Sequence, residues 1–462
     1  FCAAIEGNIG TRRLLDAVCK YLPAPSWAKE VTGVRQYKDE QVAREIDGAG
    51  APLAFVFKTV AEAHVGELSF FKVYAGSVTS GMDMLNASTG NTERIGQLFF
   101  TNGKNRQETP QVTVGDIGAA VKLKATHTGD TLCDKSDPVK LPPVDFPKPS
   151  IHVALVPKAR TDEEKISDGL TRLREEDPAF TITHDSEMSQ MIISGQGELH
   201  LGLIVKRLKD KFGVEVDTKE PRIPYRETIK SKMRVSYRHK KQTGGAGQFG
   251  EVHIFIQPYN AERPPAVPSE YTVRGEELEE LPWGGKLQFV NCIVGGAIDA
   301  RFIPAVKKGI LEMMQGGVVA GYPVRDVQVV LHDGKMHSVD SNDNAFKTAG
   351  RMAFRNGVLE AKPVMFEPIC DVEVHVPEDF MGDVMGDLSS RRGKILGMES
   401  EGKFQKVKAR VPLAEMHRYS TKLRSMTSGR GFHEMTVSHY EELPRELADR
   451  LIEEAKKEKA EP

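Results

Sequence analysis

The sequence predicts a multidomain α+β protein: a small β-barrel, two ferredoxin-like split βαβ domains, and a separate α+β domain between those two. Three observations predict it. The chain has 462 residues, too many for one core when domains usually run ~100–200 residues. The stretch from Leu53 to Asp134 is patterned as short strands and turns throughout. An order of apolar periodicities reading β-α-β-β-α-β then occurs twice.

Each element follows from local pattern. Thr11 is expected to cap a helix through Leu14, Leu15, Val18 and Leu22, which Pro23 and Pro25 stop, closing a segment 1–25. A polar linker to about Gly50 leads into the all-β part, 26–140. There, runs such as Phe70 to Tyr74 are punctuated by Ala75-Gly76, Ser80-Gly81, Gly115-Asp116 and Gly129-Asp130. Leu141 to Pro149 is Pro-rich linker.

In the first copy of the module, 147–222, Ile151, Val153 and Leu155 alternate as a strand. A helix follows through Ile166, Leu170 and Leu173. Strands lie around Thr183 and Met191–Ile193, a helix carries Leu201, Ile204, Val205, Leu208 and Phe212, and Val214–Val216 closes the unit. The second copy lies in 364–462. Val372, Val374 and Val376 alternate, a helix runs through Met381, Val384, Met385 and Leu388, and a hairpin turns at Glu401-Gly402. The next helix bears Met416, Tyr419, Leu423 and Met426, and a charged tail from Glu446 to Lys459 reads as a frayed helix. The α+β unit between the copies, 223–363, has β-rich stretches at Val252–Ile256 and Leu287–Val290 and a helix over Phe302–Met314.

Composition narrows the function. With 39% hydrophobic and 28% charged residues the chain reads as globular. No apolar run reaches the ~18 residues of a membrane span, and no leader peptide is visible. Phe1 in place of an initiator Met suggests an internal fragment. The five cysteines (Cys2, Cys19, Cys133, Cys292, Cys370) are scattered and odd in number, which fits reduced thiols in a cytoplasmic protein and neither a disulfide framework nor a zinc site. The net charge of −2 announces no nucleic-acid binder, yet Lys230, Lys232, Arg234, Arg238, Lys240 and Lys241 crowd into one short run. Such a run is usually a solvated face.

The glycine-rich stretch after that run gives it weight. Gly245-Ala246-Gly247-Gln248-Phe249-Gly250 is a literal G-x-G-x-x-G, but the alternating Glu251–Ile256 after it is a strand, where a dinucleotide site needs a helix. A glycine-rich hairpin tip remains, able to lie against a phosphate backbone. His332 to Ser341 invites a metal or acid–base reading, but the spacing is wrong for two ligands on one helix turn and no third ligand is evident. It reads instead as a second polar loop, ended by Asp340-Ser341 capping a helix from Asn344 to Phe354. Glu198 and His200, after Gly195 and Gly197, read as structural residues at a helix start. Ser389-Ser390-Arg391-Arg392 ends a helix, with Gly393 as the expected left-handed stop and phosphate contact as a compatible role. The central strands of the two modules lack the aromatics of base-stacking RNA modules. No G-x-x-x-x-G-K-[ST] occurs, so the chain itself has no phosphate-cradling loop for a nucleotide.

Taken in order, these units resemble the part of elongation factor G that follows its GTPase domain. Val65–Tyr74 with Thr128-Gly129-Asp130-Thr131-Leu132 resembles the family's barrel, domain II. Gly195-Gln196-Gly197-Glu198-Leu199-His200 and Tyr225-Arg226-Glu227-Thr228 resemble domain III. Gly244–Gly250 and His337-Ser338-Val339-Asp340-Ser341 resemble the tip loops of domain IV, a domain of ribosomal-protein-like type. Gly382–Leu388 and Leu423–Arg430 resemble domain V. Segment 1–25 then corresponds to the end of the GTPase domain, with Ala3, Ala4 and Ile5 at its last guanine-site motif.

The resemblance implies a translocation factor that is monomeric, cytoplasmic and free of membrane. Its partners are the ribosome, through rRNA of both subunits, together with tRNA and mRNA. Gly244, Gly245, Gly247, Gln248, Phe249, His337, Asp340 and Ser341 would meet tRNA and mRNA, with Gln248 and His337 foremost. Arg391, Arg392, Arg424 and Arg430 are candidates for rRNA. No catalytic residue and no cofactor is expected in this chain, whereas the full-length protein would be a ribosome-dependent GTPase using GTP and Mg. The family usually has arginine at Ala246, aspartate at Ser338 and serine at Ala4, and these departures suggest a diverged bacterial paralogue. A ribosome-recycling or ribosomal protection factor, and a GTP-independent ribosome-binding module, are the alternatives.

Overall fold

Alternating apolar residues make strands only where a partner strand completes the ladder, and the computed structural model shows which runs find one. It describes residues 2–460 except 3, 5, 37, 39, 63–65, 104 and 242–246. The fold is multidomain α+β, with many antiparallel sheets. It divides into two compact units, Phe1–His184 with Met191–Lys219, and Asp185–Gln190 with Glu220–Pro462.

In the first unit, the helix Thr11–Tyr21 begins after Gly10 (φ 80°), which takes the cap position without a side-chain bond, so Thr11 is the first helical residue and not the cap. The strands of 53–133 build an antiparallel sheet of eight. Leu53–Glu62 and Gly66–Ala75 lie at its centre, and Thr92–Arg94 and Asn105–Thr109 at its ends. No ladder joins those end strands among the described residues, so the expected barrel is not closed. Ser77–Thr79 and Gln111–Thr113, of three residues each, pair with one another as a separate sheet. Side chains draw the layers together: Val56, Phe71, Val73, Met84, Leu98, Val112 and Leu132 form one core.

The first module has strands Ile151–Pro157, Thr181–Asp185, Gln190–Gly195 and Val216–Lys219, and helices Glu163–Glu176 and Glu198–Phe212. Its first strand lies between the third and the fourth, with the second at the edge. Ile166, Leu170 and Leu173 of one helix and Leu201, Ile204 and Leu208 of the other bury against that sheet, as their helical spacing requires.

In the second unit, Pro363–Pro377 is a long strand flanked by Phe404–Pro412 and Phe432–Glu442, with Lys394–Glu401 outside, and Arg226–Ile229 pairs with its start. The helices Met381–Ser390 and Tyr419–Met426 cover one face through Val384, Leu388, Tyr419 and Leu423. The expected left-handed stop at Gly393 falls on Arg392 instead, at φ 59°. Gly393 is there for closeness, since a Cβ on it would lie 2.5 Å from the Leu388 carbonyl oxygen. The tail Arg445–Ala460 is a helix seated by Leu447, Leu451 and Ile452 near Met365 and Leu443.

Between lies a five-stranded sheet in the order Met233–Lys241, Gln248–Pro258, Val327–Lys335, Lys286–Asn291, Gly275–Glu280. Lys286–Asn291 and Val327–Lys335 are parallel, which requires a crossover, and the helix Ile303–Gly316 supplies it. That helix and Asp343–Glu360 cover one face of the sheet over the largest core of the molecule.

Candidate nucleic-acid interface

The strands Met233–Lys241 and Gln248–Pro258 form a long hairpin, registered from Met233↔Ile256 to Lys241↔Gln248. Side chains alternate across a strand. Met233, Val235 and Tyr237 therefore turn to the core, while Lys232, Arg234, Arg238 and Lys240 are exposed. Three members of the basic run are engaged: Lys230 with Glu442 at 2.7 Å, Arg234 with Glu270, and Arg238 with Glu251 at 2.6 Å. The hydrogen bond from Arg238 holds the Glu251 carboxyl below its usual range. Lys240 and Lys241, next to the tip, carry no ion pair among the described residues.

Gly244, Gly245 and Ala246 lie outside the described residues. From Gly247 onward the tip is placed, and it is bound to the loop 336–342. Gly247 N–H donates to Asp340 Oδ1 at 3.1 Å, Phe249 N–H donates to the Asp340 carbonyl at 2.9 Å, and Ser341 Oγ–H donates to the Phe249 carbonyl at 2.9 Å. A Cβ at 247 would lie 3.0 Å from the Asp340 carboxyl carbon, so the glycine permits the approach. Gln248 is held from below by His239 (Nε2 to Oε1, 3.0 Å). The two loops named in the sequence thus form one surface, with Asp340 and Ser341 as its staples.

His337 is oriented inside this arrangement. Its N–H donates to Ser341 Oγ at 2.8 Å. Its ring Nδ1 accepts from the N–H groups of Val339 (3.3 Å) and Asp340 (3.2 Å), and the ring meets Phe249 edge-on at 6.3 Å. A nitrogen that accepts carries no proton, so in the neutral ring the proton sits on Nε2. The side chain is 53% exposed, and its Nδ1 lies 3.4 Å from Asp340 Oδ2. Asn342, which sequence reasoning passed over, caps the following helix by accepting from Ala345 N–H at 2.9 Å, and the helix runs Asp343–Glu360. Asp340 and Ser341 do not cap it because their groups are spent on the other loop. The signal for Asn342 was available: asparagine immediately before an acidic first turn.

The other candidates divide. Arg391 bonds Asp387 at 2.8 Å and lies over the Tyr419 ring. Arg392 grips Glu367 with two bonds, at 2.6 and 2.9 Å, and Glu415 at 3.0 Å. Both are therefore internal fasteners. Arg424 and Arg430 are exposed, with Arg430 over the Phe380 ring at 4.7 Å. Of the guanine-site trio, Ala3 and Ile5 lie outside the described residues, and Ala4 is exposed and bridges Ile9. His200 is structural: Nδ1 accepts from Gln196 N–H at 3.1 Å and Nε2 meets Asp177 at 3.0 Å. Among the described residues no group of three His, Cys, Asp or Glu could hold a metal ion. Sequence reasoning named Glu227 only as part of a motif and gave it no role; it is a fully buried carboxylate whose backbone donors come from residues 91 to 95 positions away.

Comparison with known proteins matches this organisation segment by segment. Family models match as "Elongation factor G domain 2" over residues 52–135, "Elongation Factor G, domain III" over 146–220, "Elongation factor G, domain IV" over 221–362 and "Elongation factor G C-terminus" over 364–451. A crystal structure of a Thermus thermophilus protein is similar at a TM-score of 0.74 with 34% sequence identity. The match covers 98% of this chain, and the chain spans 62% of the length of that protein. Four models of one family, in consecutive order along the sequence, place the chain in the elongation factor G family.

Proposed function

We propose that this chain is the ribosome-binding part of a translation elongation factor that promotes movement of tRNA and mRNA. One observation carries the reading. Two loops whose bonded residues lie 92 and 93 positions apart in sequence are stapled by Asp340 and Ser341 into a single tip that presents His337 at the end of a basic hairpin. Donors on a rigid projection suit RNA phosphates, 2′-hydroxyls and base edges, and no covalent chemistry is asked of them.

The reading extends to the rest of the chain. The divisions 26–140, 147–222, 223–363 and 364–462 act as separate modules, and the two β-α-β-β-α-β units are ferredoxin-like, as their strand order supports. The open eight-stranded sheet is the counterpart of the family's barrel. Arg424 and Arg430 contact rRNA. GTP and Mg bind in a domain other than the four matched here, and the factor works as a monomer in the cytoplasm. No helix among the described residues is long and apolar enough to cross a membrane.

The test is ribosome-dependent translocation by the complete protein with GTP, with a non-hydrolysable analogue and without nucleotide. His337→Ala is expected to slow movement roughly tenfold, about 1.4 kcal/mol of barrier, and to change ribosome binding by less than about twofold. Equal losses in both would sink the tip role. Ala246 and Ser338, standing where the family usually has arginine and aspartate, favour a second reading as a specialised relative used in recycling or protection. Tight ribosome binding without movement would select it.

A further inference from the structure

The sheet of the tip domain has a second face, away from its two helices. Its lower part is closed by the segment that carries Val267 and Tyr271, over Phe255, Val290, Cys292 and Val330. Nearer the tip that face is open. A β-bulge between His253 and Ile254 sets Leu331 and Asp333 out of simple register. The extra residue on the bulged strand is His332, which turns to the open face, with its ring stacked on Tyr271 (4.6 Å, 15°) and edge-on to His253 (6.2 Å). Bulges re-aim side chains in this way. The Arg234 guanidinium lies 5.7 Å from the Tyr271 ring centre and its side chain is 60% exposed. Arg234, Tyr271, His332 and His253 are thus one continuous cluster of planar groups.

Cations frame it. Arg234, Arg238 and Lys240 occupy every outward position but one of the edge strand Met233–Lys241, Ser236 being the exception, and are therefore spaced by about 7 Å or its multiples; the exposed Lys232 lies just before the strand. Arg238 gives only its Nε–H to Glu251 and stays 57% exposed. Lys335, across the sheet from Glu251, is exposed and carries no ion pair among the described residues. Against these five cations stand Glu251, Glu270 and Asp333.

We propose that this open half-face is a second RNA-contact surface, which takes a single-stranded segment with bases stacked on the Arg234–Tyr271–His332 cluster and phosphates along Arg238, Lys240 and Lys335. Planar side chains flanked by a line of cations are what unpaired nucleotides require, whereas a duplex hides its base faces. The inference rests on the ribosomal reading only in taking RNA as the partner, and it adds a site that the tip loops do not include.

The experiment is titration of a short fluorescein-labelled oligouridylate with the purified chain across a salt series, with an RNA duplex of equal length as competitor. Lys240→Ala with Lys335→Ala is expected to flatten the slope of log affinity against log salt by about 1.4, at about 0.7 per phosphate contact on a single strand. Arg234→Lys keeps the charge and loses the plane, so it is expected to weaken binding about fivefold or more with the slope unchanged. The duplex should compete poorly. An unchanged slope in the double variant, a silent Arg234→Lys with equal competition by duplex, or no binding by the unaltered chain would each overturn the proposal. If binding survives these changes but falls with His337→Ala, the tip reading stands and this one fails. Unaltered thermal unfolding of both variants shows that the losses are not loss of fold.

Discussion

Glu227 is fully buried, with no cation paired to it among the described residues. Its charge is met instead by backbone N–H groups. Oε2 accepts from Val318 and Val319, and Oε1 from Ala320, Gly321 and Tyr322, at 2.7 to 3.2 Å. Such a nest stabilises an anion with fixed dipoles that cost no side-chain ordering. The strand holding Glu227 pairs with Pro363–Pro377, so the carboxylate ties a loop of the tip domain to the sheet of the C-terminal domain. Replacing it with glutamine leaves an NH2 group facing N–H donors. Glu227→Gln is expected to cost about 3 kcal/mol, within the range for hydrogen bonds to a charged group and unpaired buried donors. Trp283 reports it well, because its indole N–H donates to the Val324 carbonyl beside the nest. The urea midpoint of Trp283 fluorescence should fall, and an unmoved midpoint would refute the role. Glu227 sat inside a recognised motif, yet nothing in sequence tells that its partners are backbone atoms some ninety residues on. Gln248, Phe249 and His337 were legible as a tip from their glycine-rich and polar surroundings. Asp340 as a bridge to Gly247 was not, since a contact between two loops leaves no local periodicity.

At the scale of elements, the two helices of the tip domain meet through glycine. A Cβ on Gly309 would lie 2.0 Å from the Lys347 carbonyl oxygen, and one on Gly350 would lie 2.7 Å from that of Val306. Here local preference and packing oppose each other. Alanine in place of a mid-helix glycine gains about 1 kcal/mol of helix propensity, but overpacking a filled contact typically costs about 1–3 kcal/mol, and a 2.0 Å approach to backbone belongs at the top of that range. Gly309→Ala should therefore destabilise the tip domain, read again as a lower urea midpoint at Trp283, and a gain in stability would show the helices free to separate. Helices and strands were largely legible because burial on one face writes its period into the sequence, as with Leu201, Ile204 and Leu208. Closure of the first sheet was not, because it depends on whether Thr92–Arg94 and Asn105–Thr109 find each other, and alternation within a strand says nothing of its neighbour. The reading of Gly393 failed for a related reason: glycine serves both left-handed turns and close approach, and only the fold distinguishes them.

Over the whole molecule, each compact unit holds a histidine whose protonation burial disfavours. In the first unit His152, bonded to Ser194 Oγ at 2.7 Å, is pushed below its ordinary value by desolvation. In the second, His332 is lowered chiefly by burial and then by His253. A depressed histidine takes up a proton more readily unfolded than folded. Its stabilising contribution is whole above the ordinary value of about 6.5 and declines as pH falls below it toward the folded value. The thermal midpoint should accordingly drop between about pH 7 and pH 5.5, before the carboxylates titrate, and replacing both histidines with glutamine should flatten that dependence. A midpoint equally sensitive in the double variant would assign the effect elsewhere. The edge strand Met233–Lys241 carries a last consequence. One side of its backbone has no ladder partner among the described residues, which is the geometry that invites a second chain to add on as a strand. The cations spaced along it repel any copy that approaches in that way. Residues proposed to hold RNA would therefore also keep the free protein from self-association. Their charge is then under two demands, solubility when the surface is empty and affinity when it is filled, and a substitution that serves neither has no neutral place on this strand.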